Sequence, residues 1–158
     1  MKLPGASTLG AAVYLIAAGG QILHTTIGNS SLANGAAIFS GAGTVGITDT
    51  LIANHTIGIS NSLGTVYENY NLFFGNTTNK SGNISGGAND VSGDLRFQNS
   101  ANDDYHLQSG SAAIDAGVDV GVPLDIDGDL RPIGNGFDIG FDETPGQRRL
   151  YLPLVVRN

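Results

Sequence analysis

The feature that most constrains this chain is a tandem repeat in its first half. The stretch "GAAVYLIAAGGQILHTTIGN", residues 10–29, aligns with "GAAIFSGAGTVGITDTLIAN", residues 35–54, at a constant offset of 25. A third copy follows at an offset of 21, so that Ile38 matches Ile59 and Leu51 matches Leu72. Repeats of this length are typical of stacked architectures, in which each unit buries its apolar face against the next.

A secretion signal and a membrane helix are the two alternatives for this apolar start. A signal would have a continuous apolar middle and a small-residue cleavage site, and a membrane span needs about 20 apolar residues without breaks. Here Gly and Thr interrupt the run, and the same pattern returns twice further along the chain. We therefore interpret residues 10–29 as part of the folded protein and expect no transmembrane segment.

The composition of each repeat favours strands over helices. Short β-branched and aromatic runs such as "QILHTTI" and "YNLFF" are separated by Gly, Asn and Ser, and the chain has 24 Gly with only 13% charged residues. Gly is costly inside helices, whereas short strands joined by Gly and Asn turns have this composition. The repeat therefore predicts a parallel β-helix of three to four coils, stacked about 4.8 Å apart.

Stacked coils would place matching residues directly above one another. One inward apolar column would consist of Ile27, Ile52 and Phe73. A structural ladder of hydrogen-bonded amides is predicted for Asn29, Asn54 and Asn76. The alternative is that these Asn residues are separate turn formers, since Asn tolerates left-handed backbone.

The stretch after the repeats, residues 91–143, carries short motifs in a characteristic order. They are "YHL" (105–107), "AIDAG" (113–117), "DG" (127–128), "RP" (131–132) and "DIG" (138–140). Together with the repeats they resemble the right-handed parallel β-helix proteins of the pectin-lyase-like superfamily, in which such a segment closes the C-terminal end. The resemblance implies an all-β, short right-handed parallel β-helix with an irregular C-terminal cap, in an extracellular or cell-surface protein. Leu95, Ala112 and Leu130 stand where that family usually has Pro, which would loosen turns without changing the fold class.

The predicted organisation has four parts. They are an N-terminal lead-in (1–9), the β-helix coils (10–90), the closing segment (91–143), and a linker with an apolar tail strand (144–158). The lead-in is too short for a capping helix, so we expect a C-terminal piece of a longer β-helix, an open front that packs against another chain, or both. For the tail we favour a docked or partner-paired strand over a detached segment recognised by sorting machinery. Homo-oligomers through the open front or the tail strand are expected.

The coils hold few ionisable residues, which limits the chemistry that they could support. His24, Asp49 and Tyr70 occupy the same repeat position and are predicted to form a polar ladder on the surface. No nucleophile or second carboxylate shares that position, so no catalytic residue is assigned.

The acidic residues are concentrated in the closing segment. Twelve of the fourteen lie between Asp90 and Glu143. In "DIDGD", the alternating carboxylates of Asp125, Asp127 and Asp129 are candidate ligands for calcium, which prefers oxygen donors. The spacing does not match an EF-hand loop, and the alternative is that these acids pair with Arg131 and cap backbone N–H groups. No other cofactor is indicated.

These patterns favour a non-enzymatic structural or adhesive module that engages polysaccharide or a surface protein. The competing hypothesis is a fragment or remnant of a carbohydrate-active enzyme, a polysaccharide lyase or glycoside hydrolase, which would need a face with paired carboxylates. Ice or surface binding through a threonine ladder, Thr25 and Thr50, is a third hypothesis. A net charge of −7 without a basic stripe argues against nucleic acid as a partner.

Overall fold

The expected all-β parallel β-helix is confirmed, with about three turns. The structure is a computed structural model that describes residues 11–16 and 19–145. The predictions for the lead-in, for most of the tail and for Gly10 therefore lie outside the described residues. Within those residues the only helical segment is a single 3₁₀ turn, Ser100–Asn102. No described helix is long and apolar enough to span a membrane.

Two parallel sheets form the walls of the coils. Sheet 1 contains β1 (Val13–Leu15), β3 (Thr26–Ser40), β5 (Leu51–Asn61), β7 (Leu72–Phe74) and β8 (Thr78–Ser81). Sheet 2 contains β2 (Gly20–Leu23), β4 (Thr44–Thr48), β6 (Thr65–Asn69) and β9 (Ile84–Gly86). The chain passes from one sheet to the other within each coil, so that every strand pairs with strands of the neighbouring coils.

The strands pair in the register that the repeat offsets predict. Ile27 pairs with Ile52 and Ile52 with Phe73, and a second column joins Val13, Ile38 and Ile59. Along the strands of sheet 2, inward residues such as Val45 and Ile47 are buried and alternate with outward ones. The resulting core inside the coils comprises Ile27, Ala37, Ile38, Val45, Ile47, Ile52, Ile59, Val66 and Phe73.

The corner from sheet 2 to sheet 1 uses the same backbone conformation in each coil. His24, Asp49 and Tyr70 have φ angles of 41°, 53° and 55°, in the left-handed region that non-Gly residues rarely adopt. Each lies two residues before the first residue of the next strand of sheet 1. The repeat position shared by these three residues is therefore a turn position.

The closing segment lies along the side of the coils and contacts more than one of them. It contains the antiparallel pair β10 (Phe97–Asn99) and β11 (Asp104–Leu107). Its apolar side chains, Leu95, Leu107, Ala113 and Ile139, form a second core with Leu51, Ala53 and Leu72 of the coils. Because the closing segment packs against the side of the coils, residues at the coil corners become buried.

Candidate functional site

The corner residues His24 and Asp49 lie beneath the closing segment. Both are buried, and the His24 Nε2 and Asp49 Oδ2 atoms are 3.7 Å apart. Val118 donates its backbone N–H to the Asp49 carboxylate, at 3.1 and 3.0 Å from the two oxygens. A Cβ atom on Gly117 would lie 2.8 Å from Asp49 Oδ1, so glycine permits this close approach. The prediction of a surface ladder is wrong for these two residues, because the closing segment covers the corner; Tyr70 remains half-buried.

Burial keeps the His24 imidazole and the Asp49 carboxyl group both uncharged between about pH 4 and pH 7. Desolvation, followed by the nearby Arg131 charge, lowers the pKa of His24 to about 4. Desolvation raises the pKa of Asp49 to about 7. Neither ring nitrogen of His24 has a hydrogen-bond partner in the described structure. His24 and Asp49 therefore lie at the contact between the coils and the closing segment, and neither side chain is accessible to a substrate.

The three asparagines of the predicted ladder lie at corresponding corners but do not bond amide to amide. Asn54 Nδ2 donates to the backbone oxygen of Asn29 at 2.6 Å. Asn76 accepts a bond from the His55 N–H at 2.8 Å and donates to the Ile52 oxygen. The third coil has Gly75, with φ of 63°, at the place of Asn54, so Asn76 is shifted by one residue. The amides thus link successive coils through backbone groups.

A buried asparagine that the sequence interpretation did not assign links the second and third coils. Asn71 is fully buried; its Oδ1 accepts the Thr50 N–H, and its Nδ2 donates to the Ile47 oxygen and to Glu68. Thr50 is also buried, with its hydroxyl donated to the Thr48 oxygen. The hypothesis of an exposed threonine ladder is therefore wrong at Thr50.

Among the described residues, the turn that contains Asp125, Asp127 and Asp129, here called the aspartate turn, does not bring its three carboxylates together as a possible metal site. Asp125 Oδ1 accepts the N–H groups of Asp127 and Asp129, and its Oδ2 accepts the N–H of Glu143. The Asp125 carboxylate is thus occupied by backbone N–H groups, as predicted by the alternative in which these acids cap backbone N–H groups. The expected partner Arg131 forms its ion pair with Glu143 at 2.7 Å, in a fully buried position.

Asp127 instead faces a second group of side chains across an open pocket of about 450 Å³. His106 Nε2 lies 3.4 Å from Asp127 Oδ2, and its Nδ1 lies 2.7 Å from Asp104 Oδ1. The hydrogen bond with Asp104, with further help from neighbouring carboxylates, raises the pKa of His106. Asp142 forms a cluster with His106 and Asp127, in which one potential ligand atom from each residue lies within 4.8 Å of the other two. His106 belongs to the "YHL" motif, and 21 and 36 residues separate it from Asp127 and Asp142, so the sequence alone does not predict that the three side chains lie together.

A different surface lies on the outer face of sheet 2. Gln21, Gly46 and Tyr67 are register partners on successive strands, with Tyr67 57% exposed. They line an open depression of about 580 Å³ together with Gly19, Gly20 and Thr44. The repeat offsets of 25 and 21 already place Gln21, Gly46 and Tyr67 in one column. This sheet-2 platform could thus have been found from the sequence by following outward positions as well as inward ones.

Comparison with known proteins gives no matching family, no matching curated protein and no matching solved structure.

Proposed function

We propose that this protein is a non-enzymatic binding module whose sheet-2 platform recognises neutral polysaccharide. The observation that carries the proposal is the exposed ring of Tyr67 beside Gly46, which has no side chain. An aromatic ring supplies a rigid apolar contact area with a polar hydroxyl, and the apolar face of a pyranose ring stacks on such a surface. The glycine leaves room for the sugar to approach the backbone.

The polar groups around Tyr67 suit a sugar that bridges several coils. Gln21 lies two coils away from Tyr67 in the same column, and neighbouring strands are about 4.8 Å apart. The Gln21 amide and the Thr44 hydroxyl both donate and accept hydrogen bonds. A pyranose ring is comparable in width to one strand spacing, so the column matches a glycan running across the strands.

The charge of this surface favours a neutral ligand over an acidic one. None of the six residues that line the platform is charged, and the protein as a whole carries a net charge of −7. A polyanion such as polygalacturonate would be repelled by this overall field. We therefore expect the ligand to be a neutral glycan.

The position of the coil carboxylates supports binding rather than cleavage. The only acidic residues between residues 11 and 89 are Asp49 and Glu68. Both are buried, and Glu68 forms an ion pair with Lys80 at 2.6 Å. A glycoside hydrolase needs a pair of carboxylates that reach its substrate, so a hydrolase activity would have to rely on residues outside these coils.

The pectin-lyase-like resemblance and the extracellular or cell-surface location belong to the same proposal. The support is the parallel β-helix together with the closing-segment motifs. A neutral-glycan ligand fits that location, because cell-wall and matrix polysaccharides lie outside the cytoplasm.

Replacing Tyr67 with alanine is expected to weaken glycan binding by roughly tenfold or more, since an aromatic contact of this kind dominates a small polar site. Binding is measured by affinity electrophoresis and sedimentation with insoluble glucan, xylan and mannan, and polygalacturonate serves as the acidic comparison. Gly46→Gln is a second variant. A Cβ at Gly46 has its nearest neighbour, Gln21 Cγ, at 3.6 Å, which is an ordinary contact, so the backbone there accepts a side chain. The glutamine is expected to cover the platform and weaken glycan binding.

Tyr14→Ala is the matched control, because Tyr14 is also 57% exposed but lies on sheet 1. It should bind glycans as the unmodified protein does. Equal losses in the Tyr14 and Tyr67 variants, or binding to polygalacturonate alone, would contradict the proposal. Bond cleavage in the same glycan panel would overturn the non-enzymatic assignment.

A further inference from the structure

We propose that His106, Asp127 and Asp142 bind a divalent transition-metal ion of the Zn²⁺ class on the open side of the closing segment. This site is independent of the sheet-2 platform. It also differs from the calcium site predicted from the sequence, because it uses an imidazole and only one of the three alternating aspartates.

The spacing of the three donor groups fits an ion after a local adjustment. Their ligand atoms all lie within 4.8 Å of one another. Two donors that each lie about 2.1 Å from a tetrahedral ion are about 3.4 Å apart, so the longest separation would have to close by at most about 1.4 Å. The Asp127 side chain is 61% exposed and belongs to a turn, so it can move toward the ion.

The imidazole of His106 is oriented for ligation by its other nitrogen. Asp104 Oδ1 lies 2.7 Å from His106 Nδ1, which favours the tautomer that carries its proton on Nδ1. The ring of Phe141 packs edge-on against the imidazole, with ring centroids 5.4 Å apart. The Nε2 lone pair is then free to ligate, with Asp127 Oδ2 3.4 Å away, in the carboxylate–histidine–metal arrangement common in metalloproteins.

Asp142 provides a fixed anchor on the protein side of the site. It is only 6% exposed, and its Oδ2 accepts the Leu107 N–H at 2.7 Å and the Thr144 hydroxyl at 3.2 Å. Within residues 19–145, neither Lys nor Arg forms an ion pair with Asp104, Asp127 or Asp142. In this respect the buried Asp142 differs from its neighbour Glu143, which is paired with Arg131. A divalent ion would neutralise this concentrated negative charge.

The donor set selects the class of metal. Calcium takes six to eight oxygen ligands, whereas an imidazole with two carboxylates suits zinc and related first-row ions. The open pocket leaves one side of such an ion accessible to water. The bound ion would fasten the aspartate turn to β11 and so hold the closing segment together.

The test is a calorimetric titration of untagged protein with Zn²⁺, followed by imidazole NMR. We expect one equivalent to bind and the ring resonances of His106 to shift, whereas the buried His24 and His55 stay unchanged. At a free zinc concentration of one hundred times Kd, the Tm should rise by roughly 5–10 °C. Asp104→Asn should weaken binding by about 10- to 100-fold through the orientation of His106.

Asp127→Asn and Asp129→Asn form a matched pair, because both remove one exposed carboxylate from the same pocket. Asp127→Asn should weaken zinc binding by roughly tenfold or more, and Asp129→Asn should leave it within about twofold. Equal effects of the two variants would show that zinc is attracted only by the general negative charge of the pocket, and would overturn the site. So would displacement of zinc by an equal concentration of calcium, or a zinc titration that leaves His106 unshifted.

Discussion

Replacing Arg131 with methionine is expected to lower the free energy of unfolding by about 3–5 kcal/mol, because it leaves a buried carboxylate without its partner. The side chains of Arg131 and Glu143 are 1% and 0% exposed, and Nη1 lies 2.7 Å from Oε1. Arg131 also donates to the backbone oxygens of Gly140 and Leu124. Urea unfolding at pH 7, followed by circular dichroism, measures the loss.

The double variant Arg131→Met/Glu143→Gln separates the uncompensated charge from lost packing. Asp138 and Ile133 donate their N–H groups to different Glu143 oxygens, and glutamine keeps an acceptor for one of the two. The double variant should therefore recover part of the lost stability, since breaking one partner of a buried pair costs more than removing both charges.

The exposed pair Arg96–Asp94 is the matched control for the buried one. Its atoms are 3.8 Å apart, and its side chains are 55% and 68% exposed. Arg96→Met should cost no more than about 1 kcal/mol, as exposed ion pairs usually do. Similar losses in the Arg96 and Arg131 variants would contradict the role assigned to the buried pair.

Replacing Asp49 with asparagine is expected to stabilise the protein at pH 8 while leaving its stability near pH 4 almost unchanged. Burial raises the pKa of Asp49 from 3.8 to about 7. The folded state therefore keeps a proton that the unfolded state has lost. This stabilisation is complete below about pH 4 and disappears as the pH rises through 7. The difference between the two pKa values corresponds to roughly 4 kcal/mol, and asparagine, which carries no charge, avoids the loss.

The comparison with the unmodified protein isolates Asp49 from other buried groups. Burial raises the pKa of Asp138 to about 7, so its contribution to the stability of the fold is also lost as the pH rises. His24 acts in the opposite direction: with its pKa lowered to about 4, its contribution is lost as the pH falls from 6.5 to 4. Both groups are present in both proteins. Unfolding in urea at pH 4.5, 6 and 8 should show a stability difference that grows with pH; a constant difference would contradict the assignment.

The repeat allowed the stacking to be predicted, because equal offsets imply equal positions around the coil. The column from Ile27 to Phe73 and the shared corner of His24, Asp49 and Tyr70 both follow from those offsets. The one-residue shift at Asn76 was also visible in the sequence, although its consequence for hydrogen bonding was not.

The burial of the coil corners by the closing segment could not be predicted, because the closing segment contains no repeat that aligns it with the coils. Asp49 and Val118 are separated by 69 residues, and Thr26 and Phe141 by 115, yet both pairs are hydrogen-bonded. Polar residues at a repeat corner look like surface residues until this cover is known. The His106 cluster was missed for the same reason, since irregular loops bring its members together.

The most direct test of the stacked coils is disulfide formation between engineered cysteines. The chain has no native Cys, and Ser60 and Ser81 are register partners on β5 and β8. Neighbouring strands are about 4.8 Å apart, within the range of about 4.4–6.8 Å that a disulfide requires between Cα atoms. The pair Ser60→Cys/Ser81→Cys should cross-link rapidly under mild oxidation, whereas Ser60→Cys/Asn79→Cys, two residues out of register, should not. Equal or faster cross-linking of the out-of-register pair would contradict the stacking.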